Sequence, residues 1–246
     1  MDATLRRSDG LRLAYIHTPG AGPTTVFLPG FRSDMTGSKA LAIETWCKAR
    51  GAACLRLDYS GHGVSGGAFE DGSIGEWTSD ALLLIDRLTT GKLILVGSSM
   101  GGWIALLVAL ARPARISALL GIAAAPDFTQ TLMWDAMMPA EQQALRRDGV
   151  MHAPSQYGEP TPVTLKLIEE GRTHLLMHAP IPIHCPVRLL HGQQDPDVPW
   201  ETALNLAAQL ESTDVQVTLV KDGDHRLSRD QDLAVLERLH AGLLTE

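Results

Sequence analysis

The chain has 246 residues, of which 45% are hydrophobic and 20% are charged, and its formal net charge is −7 at pH 7. These values are typical of an ordinary globular protein with a single core, and they leave no basic footprint for nucleic acid or an anionic membrane. The longest apolar stretch, around Trp103 to Ala111, is too short to cross a bilayer. We therefore exclude nucleic acid as a partner and expect no membrane span.

Short strand-like runs alternate with helical stretches along the chain, which predicts an α/β fold with a mostly parallel sheet and helices on both faces. In chain order, the predicted strands are 11–18, 25–28, 53–58, 92–96, 116–122, 187–191 and 215–220. The predicted helices are 38–49, 73–88, 100–111 and 230–244. No repeat or linker divides the chain, so we predict one domain over residues 1–246.

The alternation stops between Asp127 and about Pro180, where helical pieces and several prolines occur and no strand-like run is found. An insertion of this size between strands is typical of a cap over one end of the sheet. The segment holds five methionines, Met133, Met137, Met138, Met151 and Met177. Their flexible side chains suit the adaptable roof of a pocket, and they suit equally well the packing of the cap onto the body.

The three cysteines and the N-terminus bear on the compartment. Cys47, Cys54 and Cys185 are odd in number, widely spaced and set in or beside apolar runs, so we predict small buried side chains in a reducing environment. The first residues show neither a charged start followed by an apolar run nor a mitochondrial transit peptide. The expected location is therefore the cytoplasm.

Two segments match the pattern Gly-x-Ser-x-Gly, one centred on Ser99 and the other on Ser65. A nucleophilic serine of this type needs a tight turn from a strand into a helix, because that turn exposes the hydroxyl beside free helix N–H groups. A buried strand precedes Ser99 and an apolar helix follows it, whereas a glycine-rich loop follows Ser65. We predict that Ser99 is the nucleophile and that Ser65 is a turn residue.

A serine hydroxyl needs a histidine to remove its proton, and a carboxylate must orient that histidine. In this type of fold the acid and then the histidine follow the serine in the chain. His225 lies in a polar loop after a strand, whereas His240 falls inside the last helix, so we predict His225 as the base. Asp195 is the preferred acid, with Asp127 and Asp197 as alternatives, and Asp197 is expected to cap the next helix.

Backbone N–H groups are expected to receive the negative charge that develops on the substrate oxygen. One should come from the residue after the nucleophile, Met100, and the second from the loop after strand 25–28, where Phe31 follows Pro29 and Gly30. His62 and His191 lie beside glycines and are predicted to be structural. The other histidines show no metal-ligand spacing. Acyl transfer through a serine needs neither a metal nor an organic cofactor, so we predict none.

Several segments carry a likeness to a known family, namely residues 30–37 (GFRSDMTG), 58–65 (DYSGHGVS), 97–103 (GSSMGGW), 195–199 (DPDVP) and 224–226 (DHR). From about Thr25 to His240 the chain resembles the α/β-hydrolase superfamily. More narrowly, it resembles the group of mitochondrial palmitoyl-protein thioesterases and acyl-glucuronide esterases and its bacterial relatives. The resemblance implies cleavage of acyl esters or thioesters, including those of acylated proteins.

The predicted function is hydrolysis of carboxylic esters or acyl thioesters through an acyl-serine intermediate. The apolar cap favours acyl groups of medium length or longer. One alternative is a carboxylesterase acting on small xenobiotic or acyl-glucuronide esters, and another is a non-catalytic binding protein that retains the fold.

Overall fold

The structure, a computed structural model, describes residues 3–154 and 159–244. Eight strands of this part of the chain form one sheet, in the order β1-β2-β4-β3-β5-β6-β9-β10. They are β1 (Ala3–Arg6), β2 (Arg12–Thr18), β3 (Ala21–Leu28), β4 (Ala52–Leu57), β5 (Leu93–Ser98), β6 (Ile116–Ile122), β9 (Val187–Gly192) and β10 (Val215–Val220). From β4 to β10 all neighbours are parallel, whereas β2 pairs antiparallel with both β1 and β4.

Helices cover both faces of this sheet. The helices are α1 (Ser38–Ala49), α2 (Ile74–Leu88), α3 (Met100–Ala111), α4 (Pro139–Asp148), α5 (Leu165–Gly171), α6 (Glu201–Gln209) and α7 (Asp230–Leu244). Buried residues of α2, α3 and α6 share one hydrophobic cluster, and those of α1 and α7 share another. Among the helices of the described ranges, none combines the length and the apolar character that crossing a bilayer requires.

The central strand β5 shows how the sequence produces this layered core. Leu93 and Leu95 belong to the cluster with α2 and α3, whereas Ile94 and Val96 belong to the cluster with α1 and α7. Successive side chains of a strand point to opposite faces, so a strand covered on both faces must be apolar at every position. The continuous apolar run before Ser99 therefore places this strand at the centre of the sheet.

Most predicted elements agree with the structure, and the α/β class is confirmed. The bounds of α1, α3, β6, β10 and α7 match the predicted ones, and the remaining predicted elements differ from the observed ones by a few residues at their ends. Strand β1 was not predicted. Its side chains are mostly exposed, so it lacks the apolar alternation from which a strand is inferred.

The prediction that residues 127–180 contain no strand is wrong. Strands β7 (Val150–Ala153) and β8 (Thr161–Thr164) pair antiparallel there and form a separate two-stranded sheet. The segment also contains α4, α5 and a π-helical turn, Thr129–Trp134. Each of the two strands has four residues, and β8 contains Pro162, so neither run is long enough or regular enough to predict a strand.

The inner part of this segment is tied to the body by hydrogen bonds to backbone groups. The Trp103 indole N–H donates to the carbonyl oxygen of His174 (3.1 Å), and the Glu170 carboxylate accepts the N–H of Gly75 at the start of α2 (3.1 Å). The outer part contains α4 and the two short strands, and a small cluster of Trp134, Leu145, Val163 and Ile168 joins it to the π-helical turn and α5. The described residues of the 127–180 segment thus form a base that is hydrogen-bonded to the body and an outer layer that packs on this base through the small cluster.

The predicted burial of the cysteines is confirmed for two of the three. Cys47 and Cys54 are buried in the cluster beneath α1 and α7, whereas Cys185 is only partly buried, and all three are free thiols.

Candidate active site

Ser99 occupies the tight turn between β5 and α3. Its φ of 54° and ψ of −119° lie in a region that residues with a side chain rarely adopt. The Ser99 N–H donates to the carbonyl oxygen of Ile122 (2.8 Å), and its own carbonyl accepts the N–H of Gly102 (2.8 Å). The strained backbone is therefore held by neighbours on both sides, and it presents the hydroxyl at the carboxyl edge of the sheet.

The glycines on either side of Ser99 are required by close packing. A Cβ atom on Gly97 would collide with the backbone of Gly101, and a Cβ atom on Gly101 would collide with the carbonyl oxygen of Leu28. These contacts are between backbone atoms, which cannot move aside as a flexible side chain can. The small residues of the motif are thus explained by the geometry of the turn itself.

The structure brings the side chains of Ser99, His225 and Asp195 together in one chain of hydrogen bonds. His225 lies on the loop between β10 and α7, and its Nε2 is 3.1 Å from Ser99 Oγ. Its Nδ1 is 2.8 Å from Oδ2 of Asp195, which lies on the loop between β9 and α6. Because a carboxylate only accepts, Nδ1 carries the hydrogen, and Nε2 is then able to accept the Ser99 hydroxyl proton.

The Asp195 carboxylate is buried and fully hydrogen-bonded. Its side chain is 0% exposed, Oδ1 accepts the N–H groups of Asp197 (2.8 Å) and Val198 (2.9 Å), and Oδ2 lies 3.1 Å from Nε2 of His191. Burial alone would raise the pKa of Asp195, but the hydrogen bonds from His191 and His225 keep this pKa well below its usual value. The carboxylate is therefore negatively charged at neutral pH.

The two alternative acids occupy different environments. The Asp127 carboxylate accepts the backbone N–H groups of Leu176 (2.9 Å) and Met177 (2.9 Å), and it therefore anchors the end of the 127–180 segment. The expectation that Asp197 caps α6 is wrong, because Trp200 is the N-cap residue and makes no side-chain cap bond. Asp197 instead lines the cavity in front of His225.

The two predicted backbone donors belong to segments that adjoin Ser99. Met100 is the first residue of α3, and the first N–H groups of a helix have no acceptor within the helix. Phe31 follows Gly30, where an added Cβ would lie 3.3 Å from Ser99 Cβ, so this loop passes directly over the serine. The Phe31 ring packs edge-on against Phe69, Trp77 and Phe128.

A cavity of about 940 Å³ opens in front of Ser99 and His225. Its apolar wall comes mainly from the 127–180 segment, namely Phe128, Leu132, Met133, Met137, Met151 and Val163. Three of the five methionines therefore line the cavity, and these three also pack against the small cluster of the outer layer. These three therefore serve both proposed roles, and Met177 serves packing alone because it contacts the main core, whereas Met138 is 68% exposed and serves neither role.

The residues that were set aside on sequence grounds have structural contacts. The Ser65 hydroxyl donates to the carbonyl oxygen of Asp58 (2.7 Å) and accepts the N–H of Ala14 (2.8 Å), so it joins a turn to the sheet. His240 is buried, lies 2.9 Å from Oγ1 of Thr25 and stacks edge-on against Trp46. Both residues are structural, as predicted.

Sequence reasoning gave no site role to three residues that contact a predicted site residue or the residue next to one, namely Arg32, His62 and His191. Arg32 follows Phe31, and its guanidinium donates to the carbonyl oxygen of Glu159 in the outer layer of the 127–180 segment. The ring of His62 accepts the backbone N–H of Arg32. His191 contacts Asp195. The available signal was proximity in the chain to a predicted site residue, which Arg32 and His191 show and His62 does not.

One group of side chains in the described ranges has the spacing of metal ligands. Asp195, Asp197 and His225 offer ligand atoms within 4.8 Å of one another. The hydrogen bond between Asp195 and His225 already accounts for the arrangement of two of them, and we assign no metal to the group.

Comparison with known proteins gives consistent matches. Residues 25–238 match the model of the alpha/beta hydrolase family. The mitochondrial palmitoyl-protein thioesterase ABHD10 of Homo sapiens is 45% identical over 235 residues, which cover 94% of this chain and 76% of that protein. The structure of mouse alpha/beta hydrolase domain-containing protein 10 superposes with a TM-score of 0.92 at 39% identity, covering 100% of this chain and 98% of the mouse chain. The crystal structure of a putative hydrolase from Agrobacterium vitis S4 superposes with a TM-score of 0.94 at 42% identity, covering 99% of this chain and 98% of the Agrobacterium chain.

These matches correct the predicted compartment. The expectation of a cytoplasmic location is wrong, because the curated relatives that match 94% of this chain are named as mitochondrial proteins. Free cysteines indicate a reducing environment, and more than one compartment provides that environment. They therefore could not identify the location.

Proposed function

The chain belongs to the alpha/beta hydrolase family, and on this basis we propose that it cleaves carboxylic esters or acyl thioesters through an acyl-serine intermediate. The observation that carries the proposal is the unbroken chain of hydrogen bonds from Ser99 Oγ to His225 (3.1 Å) and on to Asp195 (2.8 Å). We further propose that residues 127–180 form the cap of a single domain. Ser99 is the nucleophile, His225 the general base and Asp195 the acid that orients it.

The first half of the reaction forms the acyl-enzyme. Ser99 Oγ attacks the substrate carbonyl carbon while His225 Nε2 takes the hydroxyl proton, and the new oxyanion accepts hydrogen bonds from the N–H groups of Phe31 and Met100. When the tetrahedral intermediate collapses, the bond to the leaving group breaks. A leaving alkoxide takes the proton from His225 as it departs, whereas a thiolate departs first and takes that proton afterwards. In both cases the leaving group diffuses away in its neutral form and His225 is neutral again.

The second half hydrolyses the acyl-serine bond. Water enters the position that the leaving group has vacated, His225 removes one of its protons, and the resulting hydroxide attacks the acyl carbon. The same two N–H groups receive the second oxyanion. Collapse releases the carboxylic acid and returns the proton to Ser99 Oγ.

Medium or longer acyl chains are the proposed substrates. The apolar wall in front of Ser99 and the cavity of about 940 Å³ suit a flexible hydrocarbon chain, because its burial stabilises the complex by about 0.8 kcal/mol per methylene group. Relatives at 45% identity are named palmitoyl-protein thioesterases, which supports the same substrate class.

The test compares Ser99→Ala with Ser65→Ala as a matched control, since both residues lie in Gly-x-Ser-x-Gly segments. With a chromogenic medium-chain ester, Ser99→Ala should lower kcat by about a million-fold. Ser65→Ala should retain activity, and a fluorophosphonate probe should label the wild type and Ser65→Ala only. Labelling of Ser99→Ala, or full activity in that variant, would remove the proposal. A wild type that neither labels nor turns over would favour a non-catalytic binding protein.

A further inference from the structure

His191 is a second imidazole on the Asp195 carboxylate. It lies near the end of β9, four residues before Asp195, and it is 0% exposed. Its Nε2 is 3.1 Å from Oδ2 of Asp195 and 3.1 Å from the carbonyl oxygen of Val198. A buried side chain with these contacts is in a position to affect the group that orients His225.

The contacts determine which nitrogen of His191 carries a hydrogen. Both neighbours of Nε2 are oxygens that only accept, so Nε2 must be the donor. For Nδ1, the described part of the chain offers no hydrogen-bond partner. The polar interactions of this ring are therefore directed at the turn that contains Asp195.

The two oxygens of Asp195 are held in different ways. Oδ1 accepts N–H groups from its own turn, those of Asp197 and Val198. Oδ2 accepts from two imidazoles, His191 on the rigid strand β9 and His225 on a loop. A carboxylate oxygen has two in-plane lone pairs, so the donor on the strand determines which one remains for the donor on the loop.

We propose that His191 is a positioning residue that occupies one lone pair of Asp195 Oδ2 and thereby presents the other to His225 Nδ1. The inference rests on the proposed function, and it adds a second histidine to the three side chains already assigned. His191 does not touch the reacting atoms. It acts through the carboxylate, in the way that outer hydrogen bonds orient the ligands of a metal site.

Other charged groups surround the Asp195–His225 pair. They are Lys39 from α1, Asp197 from the loop after β9, and Asp224 and Arg226 from the loop after β10. All four remain in every variant proposed here. A difference in pH profile between two His191 variants therefore reports on position 191.

The test compares His191→Phe, which fills the space without a donor, with His191→Gln, whose amide can donate from a similar place. In His191→Phe we expect kcat/KM to fall by about tenfold to a hundredfold with KM little changed, less than the loss on removing the acid itself. The acidic limb of the kcat/KM profile should move to higher pH, because a carboxylate with one donor fewer stabilises the His225 imidazolium more strongly. His191→Gln should restore most of the activity and the wild-type limb.

Several results would overturn the inference. A kcat/KM of His191→Phe within about twofold of the wild-type value, a margin that corresponds to about 0.4 kcal/mol, would contradict it. Equal losses in both variants with an unmoved acidic limb would indicate a purely structural role. If His191→Phe does not fold, His191→Met supplies a flexible side chain without a donor, and circular dichroism identifies the folded variants.

A measurement on the wild type separates this inference from the proposed function. In protein labelled with ¹⁵N at histidine, the inference expects a His191 Nε2–H signal that exchanges slowly with solvent. A His191 ring that carries its hydrogen on Nδ1 alone would contradict the inference, whatever the activity. Failure of the wild type to hydrolyse any ester would instead contradict the proposed function while leaving this signal in place.

Discussion

Nε2 of His62 accepts a hydrogen bond from the backbone N–H of Arg32, at a distance of 3.3 Å. Nδ1 of the same ring lies 3.1 Å from the carbonyl oxygen of Ser60, so Nδ1 carries the hydrogen and Nε2 accepts. Arg32 has a φ of 55° and directly follows Phe31, a proposed oxyanion donor. The neutral His62 ring therefore holds a strained residue beside the site.

The stability of the protein should fall on mild acidification because of His62 and His240. Burial lowers the pKa of each from 6.5 to about 4, so between these pH values the unfolded chain binds more protons than the folded one. The contribution of each neutral histidine to the free energy of unfolding is fully present above pH 6.5. It is lost as the pH falls towards 4, by on the order of 3 kcal/mol per histidine. Urea unfolding of the wild type and His62→Gln between pH 4 and 8 measures this. If the free energy of unfolding depended on pH in the same way in His62→Gln and in the wild type, the assignment to His62 would be contradicted.

Arg32 should connect the loop that contains Phe31, a proposed oxyanion donor, to the outer layer of the 127–180 segment. Its guanidinium donates to the carbonyl oxygens of Glu159 (3.0 Å) and Pro160 (3.1 Å) and to Oγ1 of Thr161 (3.1 Å). In Arg32→Ala these bonds are lost, and we expect kcat/KM for a medium-chain ester to fall by about tenfold. Arg147→Ala is the control, because Arg147 is exposed and pairs with the adjacent Asp148. Equal activity in the two variants would show that the connection is unimportant.

Asp195 and Asp197 should differ sharply on replacement by asparagine. Asp195→Asn keeps the shape of the side chain but no longer stabilises the His225 hydrogen on Nδ1, so kcat should fall by about ten-thousand-fold. Asp197→Asn removes a charge from the same loop and should change kcat by less than about threefold. Steady-state kinetics of both variants decide between the two acids, and the reverse order of losses would assign the role to Asp197.

Filling the apolar wall of the cavity should shorten the preferred acyl chain. Met137 lines the cavity, whereas the adjacent Met138 does not and is 68% exposed. Met137→Trp should therefore lower kcat/KM for long-chain esters while sparing acetyl and butyryl esters, because the larger ring takes up space that the chain needs. Met138→Trp is the matched control and should leave the chain-length profile unchanged. A parallel loss for short and long chains in Met137→Trp would argue against an acyl site there.

The position of Ser99 could be predicted because the features that define it are local. A buried strand, two glycines at the turn and an apolar helix are contiguous in the chain, and the turn needs those small residues for packing. The loops that carry Asp195 and His225 were found in a similar way, since each follows a strand of the parallel sheet, whose carboxyl ends meet at one edge.

Other features depend on partners that are distant in the chain. Arg32 contacts residues more than 120 positions away, and His62 acts on a loop 30 positions earlier, so neither sequence context indicates the contact. The short strands around Met151 and Val163 are stabilised by their pairing and by a small cluster. Each strand has only four residues and one contains a proline, so the sequence pattern does not predict them. The local sequence pattern therefore determined most helices and strands and the turn that carries Ser99. Only the tertiary structure decided which side chains support the site, because hydrogen bonds between distant segments form when packing brings their ends together.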